Sequence, residues 1–142
     1  MKACPDEKFA LVGYSQGGMV LTSVAPKLSP AAMEKVLAVV LYGAGDGSNV
    51  AAGLKTKVLA NCAPGDFVSL SHKISLNSTL FSCNANSACF QACTNSGSGP
   101  GHVSYNDEGT IWHDRAAKYI VAAFNGQSIG QKLARSPTAP AL

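Results

Sequence analysis

Lys8-Phe9-Ala10-Leu11-Val12-Gly13 runs without a break into Tyr14-Ser15-Gln16-Gly17-Gly18. The first six residues form a short apolar run closed by glycine, the pattern of a strand buried in a parallel sheet. From Gln16 to Leu28 the spacing turns helical, with Met19, Val20, Ser23, Val24 and Lys27 spread over one and a half faces. Pro26 and the Ser29-Pro30 pair end that helix. The stretch therefore predicts a strand, a sharp turn at Ser15 and a helix.

Downstream, Pro30 to Lys35 reads as a brief second helix, with Ser29 as N-cap and proline in its first position. Leu37 to Tyr42 is a second buried strand, Gly43 to Gly53 a glycine-rich loop, and Thr56 to Asn61 a third strand interrupted by Lys57. Cys62 to His102 has little periodicity and much Ser, Asn, Gly and Cys, and reads as a disulfide-held loop. Asn106 to Asn125 is the last helix, capped by Asn106 or Asp107, with Ile111, Ala116, Tyr119, Ile120 and Ala123 inward and Gly126 closing it. Gln127 to Leu142, with Pro137 and Pro140, reads as a frayed, flexible tail. The order implies a parallel α/β sheet. Three strands are few for such a sheet, so the fold is expected to be incomplete on its N-terminal side.

The whole chain has 142 residues, enough for one domain at most. A hydrophobic fraction of 46% with 13% charged residues argues for a compact protein. The net charge is +3 and the eleven Lys and Arg are scattered, so nucleic acid is not an expected partner. No apolar run nears the roughly 18 residues of a bilayer span, so no membrane association is expected. Met1 to Pro5 lacks an apolar h-region, so no signal peptide is expected in this sequence. Five cysteines is a high count, and Cys83, Cys89 and Cys93 crowd one polar loop. Neither CxxC pairs nor interspersed His argue for metal, so disulfides in an oxidising compartment are the reading. The Asn77-Ser78-Thr79 sequon agrees with secretion.

Gly13-Tyr14-Ser15-Gln16-Gly17 fits G-x-S-x-G in the strand-turn-helix context its chemistry requires. A serine there is strained, with its hydroxyl raised above the sheet edge. The glycines remove side chains that would collide with the neighbouring strand and helix. The Gln16 N–H and the helix dipole point at a reacting carbonyl, so Gln16 is the candidate oxyanion donor. The plainer alternative is an ordinary glycine-bounded turn. A serine nucleophile needs a base and the base an orienting acid, in the order Ser, Asp, His. His102, in Gly99-Pro100-Gly101-His102, lies in a loop before the last helix and is the best base. His72 is poorly placed and His113 falls inside the helix. Asp66 and Asp46 each follow a strand, and spacing does not choose between them; Asp107 and Asp114 read as cap and surface.

Cys4-Pro5 leading into Gly13-Tyr14-Ser15-Gln16-Gly17-Gly18 resembles the nucleophile segment of cutinases and the related acetylxylan esterases. The likeness continues through Val39-Val40-Leu41-Tyr42-Gly43, Cys62-x-x-x-Asp66 and Gly101-His102 with Tyr105, to about Gly126. It implies a three-layer α/β-hydrolase sandwich over residues 1–126 with the 127–142 tail outside it, and a triad of Ser15, Asp66 and His102. It thereby selects Asp66 over Asp46 and supports Gln16 in the oxyanion hole. The resemblance also implies further strands, a partner for Cys4 and the second oxyanion donor upstream, so the chain is expected to be N-terminally truncated. The family's second cysteine after the aspartate is replaced by Phe67-Val68-Ser69, so Cys62 is expected to pair with Cys83, Cys89 or Cys93. Leu70 to Gly99, longer than the family's usual loop, is a lid, a flap or a decorated loop.

The implied activity is hydrolysis of carboxylic esters through an acyl-enzyme: cutin, short-chain acyl esters or acetylated polysaccharide. It implies no metal or organic cofactor, a monomer and an extracellular location. The alternative from another class is a non-catalytic fragment or binding module that retains the motif. A lectin-like domain is disfavoured, because the single Trp112 sits in a helix and offers no carbohydrate platform.

Overall fold

The computed structural model of the chain describes residues 4–45, 47, 50–66, 101–134 and 138. Its strands are β1 (Phe9–Tyr14), β2 (Val36–Tyr42), β3 (Val58–Asn61) and β4 (Lys132–Ala134), all parallel and ordered β1-β2-β3-β4. The helices are α1 (Gln16–Val24), α2 (Pro30–Lys35) and α3 (Trp112–Phe124).

β2 shows why this is a three-layer α/β fold. Successive strand residues face opposite ways, and every residue from Ala38 to Leu41 is fully buried. Ala38, Val40 and Tyr42 pack with Trp112, Ala116, Tyr119 and Ala123 of α3. Val39 and Leu41 pack on the other face with Ala25, Leu54 and Val58, supported by Leu21 and Met33 from α1 and α2. A strand covered on both sides must be apolar throughout, and β2 is.

The local signals explain the elements between the strands. Ser29 caps α2 by accepting from Ala32 N–H at 3.2 Å. α1 stops at Val24, and Pro26 sits in a 3₁₀ turn over Ala25–Lys27. Lys57 ends a 3₁₀ turn over Ala52–Lys57, and its ammonium donates to Val36 O at 2.7 Å, across the α2–β2 junction. The third strand therefore starts at Val58, two residues later than its expected start at Thr56.

Two expectations are corrected. The last helix begins at Trp112 and not at Asn106, because a 3₁₀ turn over Gly101–Asn106 is followed by a turn from Asp107 to Thr110 with Gly109 at φ +78°. Its C-terminal end is as expected: Gly126 has φ +73°, its N–H bonds Ala123 O, and Gln127 N–H bonds Ala122 O. That pair of bonds is a Schellman closure. The segment expected to fray also carries β4, whose Leu133 pairs with Ala60 and whose Ala134 O accepts from Cys62 N–H at 2.8 Å. A fourth strand thus stands where three were expected. Asp46, His72, the sequon at Asn77, and Cys83, Cys89 and Cys93 lie outside the described residues.

Candidate active site

β1, β2 and β3 end level with one another, Tyr14 beside Tyr42 and Tyr42 beside Asn61. The next residues leave the same carboxyl edge in a staircase, with Ser15 N–H bonding Tyr42 O at 2.9 Å and Gly43 N–H bonding Asn61 O at 3.1 Å. In an open parallel sheet this edge is where chemistry is placed.

Ser15 has φ 52° and ψ −125°, the one positive φ outside glycine among the described residues. Such a backbone costs about 1–3 kcal/mol and persists only where its surroundings hold it. A Cβ on Gly13 would come within 2.6 Å of Gly18 Cα, and one on Gly18 within 2.3 Å of Ala44 Cβ. Strand and helix can therefore meet only without those side chains. Gly17, by contrast, faces open space, so Gly18 does the work expected of the motif's last glycine. A serine at a helix N-cap ordinarily bonds the first-turn N–H groups. Ser15 makes no such bond; its Oγ lies 2.8 Å from His102 Nε2.

The imidazole is fixed on three sides. Nδ1 donates to Asp66 Oδ1 at 2.9 Å, the Tyr14 ring stacks on it with centroids 5.0 Å apart, and Tyr14 Oη donates to the His102 carbonyl at 2.9 Å. The Nδ1–carboxylate bond sets the tautomer that leaves Nε2 free to accept from Ser15. Asp66 is fully buried, and its second oxygen accepts from Tyr105 Oη at 2.7 Å. Tyr105 Oη in turn accepts from Ala63 N–H at 2.9 Å. Burial first, then the neighbouring carboxylate, holds the Tyr105 phenol far above its ordinary pKa, so it stays a donor. Gly43, with φ +57°, makes room for this group, because a Cβ there would lie 2.6 Å from Asp66 Oδ2 and 2.8 Å from the His102 ring.

Ser15, His102 and Asp66 thus meet, and Gln16 heads α1, where the first N–H groups have no intrahelical acceptor. A hydroxyl, imidazole and carboxylate in this order can pass the hydroxyl proton to the ring and stabilise the imidazolium. His113 is exposed in the first turn of α3, edge-on to Tyr42. Asp107 and Asp114 are exposed on a turn and on α3. Among the described residues, no group of three or more His, Cys, Asp or Glu could hold a metal, and no helix is long and apolar enough to cross a membrane.

The family model for cutinase matches residues 1–124. The chain belongs to the cutinase family. A cutinase of Trichoderma harzianum, Cutinase cut1, is 48% identical over 67 residues, 46% of this chain and 27% of that protein. Cutinase pbc1 of Pyrenopeziza brassicae is 38% identical over 63 residues, 44% of this chain and 31% of that protein. A cutinase of Monilinia fructicola is 35% identical over 69 residues, 46% of this chain and 33% of that protein. This cutinase-family chain thus spans about a third or less of the length of the curated relatives it matches. No solved structure matches it.

Sequence reasoning missed what Tyr14, Tyr105 and Gly43 do in this cutinase-family site. Tyr14 was legible only as the variable position of the motif. Tyr105 and Gly43 were legible only as points of resemblance, since their partners lie far away in sequence.

Proposed function

We propose that this chain carries the reacting groups of a secreted serine esterase that hydrolyses carboxylic esters through an acyl-enzyme. The observation that carries the reading is the continuous relay from Ser15 Oγ through His102, at 2.8 Å and 2.9 Å, to a buried Asp66. In this mechanism Ser15 Oγ attacks the ester carbonyl while His102 Nε2 takes its proton. Asp66 holds the imidazolium through Nδ1–H, and the Gln16 N–H faces the oxyanion. His102 then protonates the departing alkoxide. Water, deprotonated by the same imidazole, releases the acid and restores Ser15.

The matched relatives are named cutinases, which favours aliphatic polyester or short-chain acyl esters over acetylated polysaccharide as substrate. Five cysteines in 142 residues favour an oxidising, extracellular setting. The test is turnover of p-nitrophenyl butyrate by the wild type beside Ser15→Ala. A wild-type rate no faster than that of Ser15→Ala would sink the reading and leave a binding module in its place.

A further inference from the structure

On the α3 face, away from the triad and sharing no residue with it, lies a cavity of about 370 Å³. Its walls are built by specific contacts. One side is a single stripe of α3, Arg115, Lys118, Tyr119 and Ala122, spaced so that all four share a face. The other side is the chain turned back by the Schellman closure at Gly126. The Tyr119 hydroxyl holds that chain by donating to Gly130 O at 2.7 Å. β4 completes the enclosure, since its register sets Lys132 beside Leu59 and both line the cavity.

The lining has two characters. Leu59, Ala122 and Ile129 give aliphatic walls, whereas Arg115, Lys118 and Lys132 give three cations. Asp114, exposed on the rim, is the one carboxylate among the described lining residues. Arg115 is only 7% exposed and its guanidinium lies 5.0 Å over the Trp112 ring, which fixes the plane of its donors. Cations set beside apolar walls attract anions more strongly than cations in open water do. The two ammoniums, Lys118 and Lys132, suit a carboxylate. Aliphatic walls suit a hydrocarbon chain, and the volume lies at the lower end of the roughly 300–1,000 Å³ of small-molecule sites.

We propose that this α3–β4 cavity binds an aliphatic monocarboxylate, as a site separate from the triad. The claim rests on the cavity alone and not on the chemistry proposed for Ser15. Trp112, the only tryptophan, lies against Arg115 and supplies a fluorescence signal alongside calorimetry.

The experiment titrates decanoate, below its micelle concentration, into the whole chain, with decanol and decylammonium as controls. Wild type and Ser15→Ala should bind decanoate within twofold of each other. Both controls should bind at least tenfold more weakly. Lys118→Glu/Lys132→Glu should lose at least tenfold in affinity while keeping its ester turnover and melting curve. Ala122→Phe, which fills the cavity from α3, should lose binding without a charge change and guards against misfolding of the double variant. Equal binding by wild type and both variants overturns the proposal. So does decanol binding as tightly as decanoate, which marks a merely apolar crevice, and so does no binding by the wild type.

Discussion

β1 and β2 run side by side in parallel, with Tyr14 level with Tyr42, yet they live in different surroundings. Val39, Val40 and Leu41 of β2 are wholly buried, whereas Val12 of β1 is 55% exposed and Tyr14 46% exposed. The two ends of the hydrogen-bonded chain from Ser15 through His102 to Asp66 divide along the same line. Asp66 is sealed in the interior with both oxygens bonded, and His102 keeps 20% of its side chain exposed. Ser15 stands on a strained turn at the end of the outer strand. The carboxylate end is therefore held by burial and hydrogen bonding, and the hydroxyl end by local backbone geometry. Changes at the first should cost stability as well as rate, and changes at the second should cost rate alone.

The largest effect that could break this contrast is on rate. Ser15→Ala and His102→Ala should each lower ester turnover by about 10⁵–10⁶, because a relay acts as a unit. Ser15→Ala should leave the melting temperature unchanged, and a clear drop would show that the hydroxyl is structural. Next comes the cost of the interior. Leu41→Ala should lower unfolding free energy by about 2–5 kcal/mol in urea titration. Tyr105→Phe sharpens the division, because it strips a donor from a buried carboxylate. It should lower stability by about 1–3 kcal/mol and kcat by about tenfold. A tyrosine that merely packed would leave kcat intact. Ser15→Gly should remove activity yet stabilise the fold by about 1 kcal/mol, since glycine tolerates the positive φ. The smallest change is Val12→Ala on β1, within about 0.5 kcal/mol. If it matched Leu41→Ala, β1 would be as buried in solution as β2 and the contrast would vanish.

Much of this was legible in the sequence, and for identifiable reasons. The β1–Ser15–α1 unit, the Ser29-capped α2 and the apolar β2 announce themselves because their signals are local: period, cap and turn residue. Gly126 closes its helix for the same reason. β4 was hidden because Lys132-Leu133-Ala134 is too short to show a period, and its pairing with β3 is a tertiary fact. The start of α3 was placed six residues early because Asn106 and Asp107 are good cap residue types, yet the chain first closes a turn from Asp107 to Thr110 with Gly109 at φ +78°. In the site, the G-x-S-x-G context and the loop position of His102 pointed to two residues that the structure brings within hydrogen-bond distance of each other. The choice of Asp66 over Asp46 needed the family resemblance. The bond from Tyr105 to Asp66 spans 39 residues, and no local pattern encodes it.

The relay from Ser15 through His102 is the centre of this account, and covalent labelling tests it most directly. The chain is treated with a fluorophosphonate and its peptides are mapped by mass spectrometry. The account predicts one adduct, on Ser15, formed quickly in the wild type and at least about a thousandfold more slowly in His102→Ala, because the hydroxyl is unreactive without its base. An adduct on another serine, or equal labelling of Ser15 in both proteins, would contradict it.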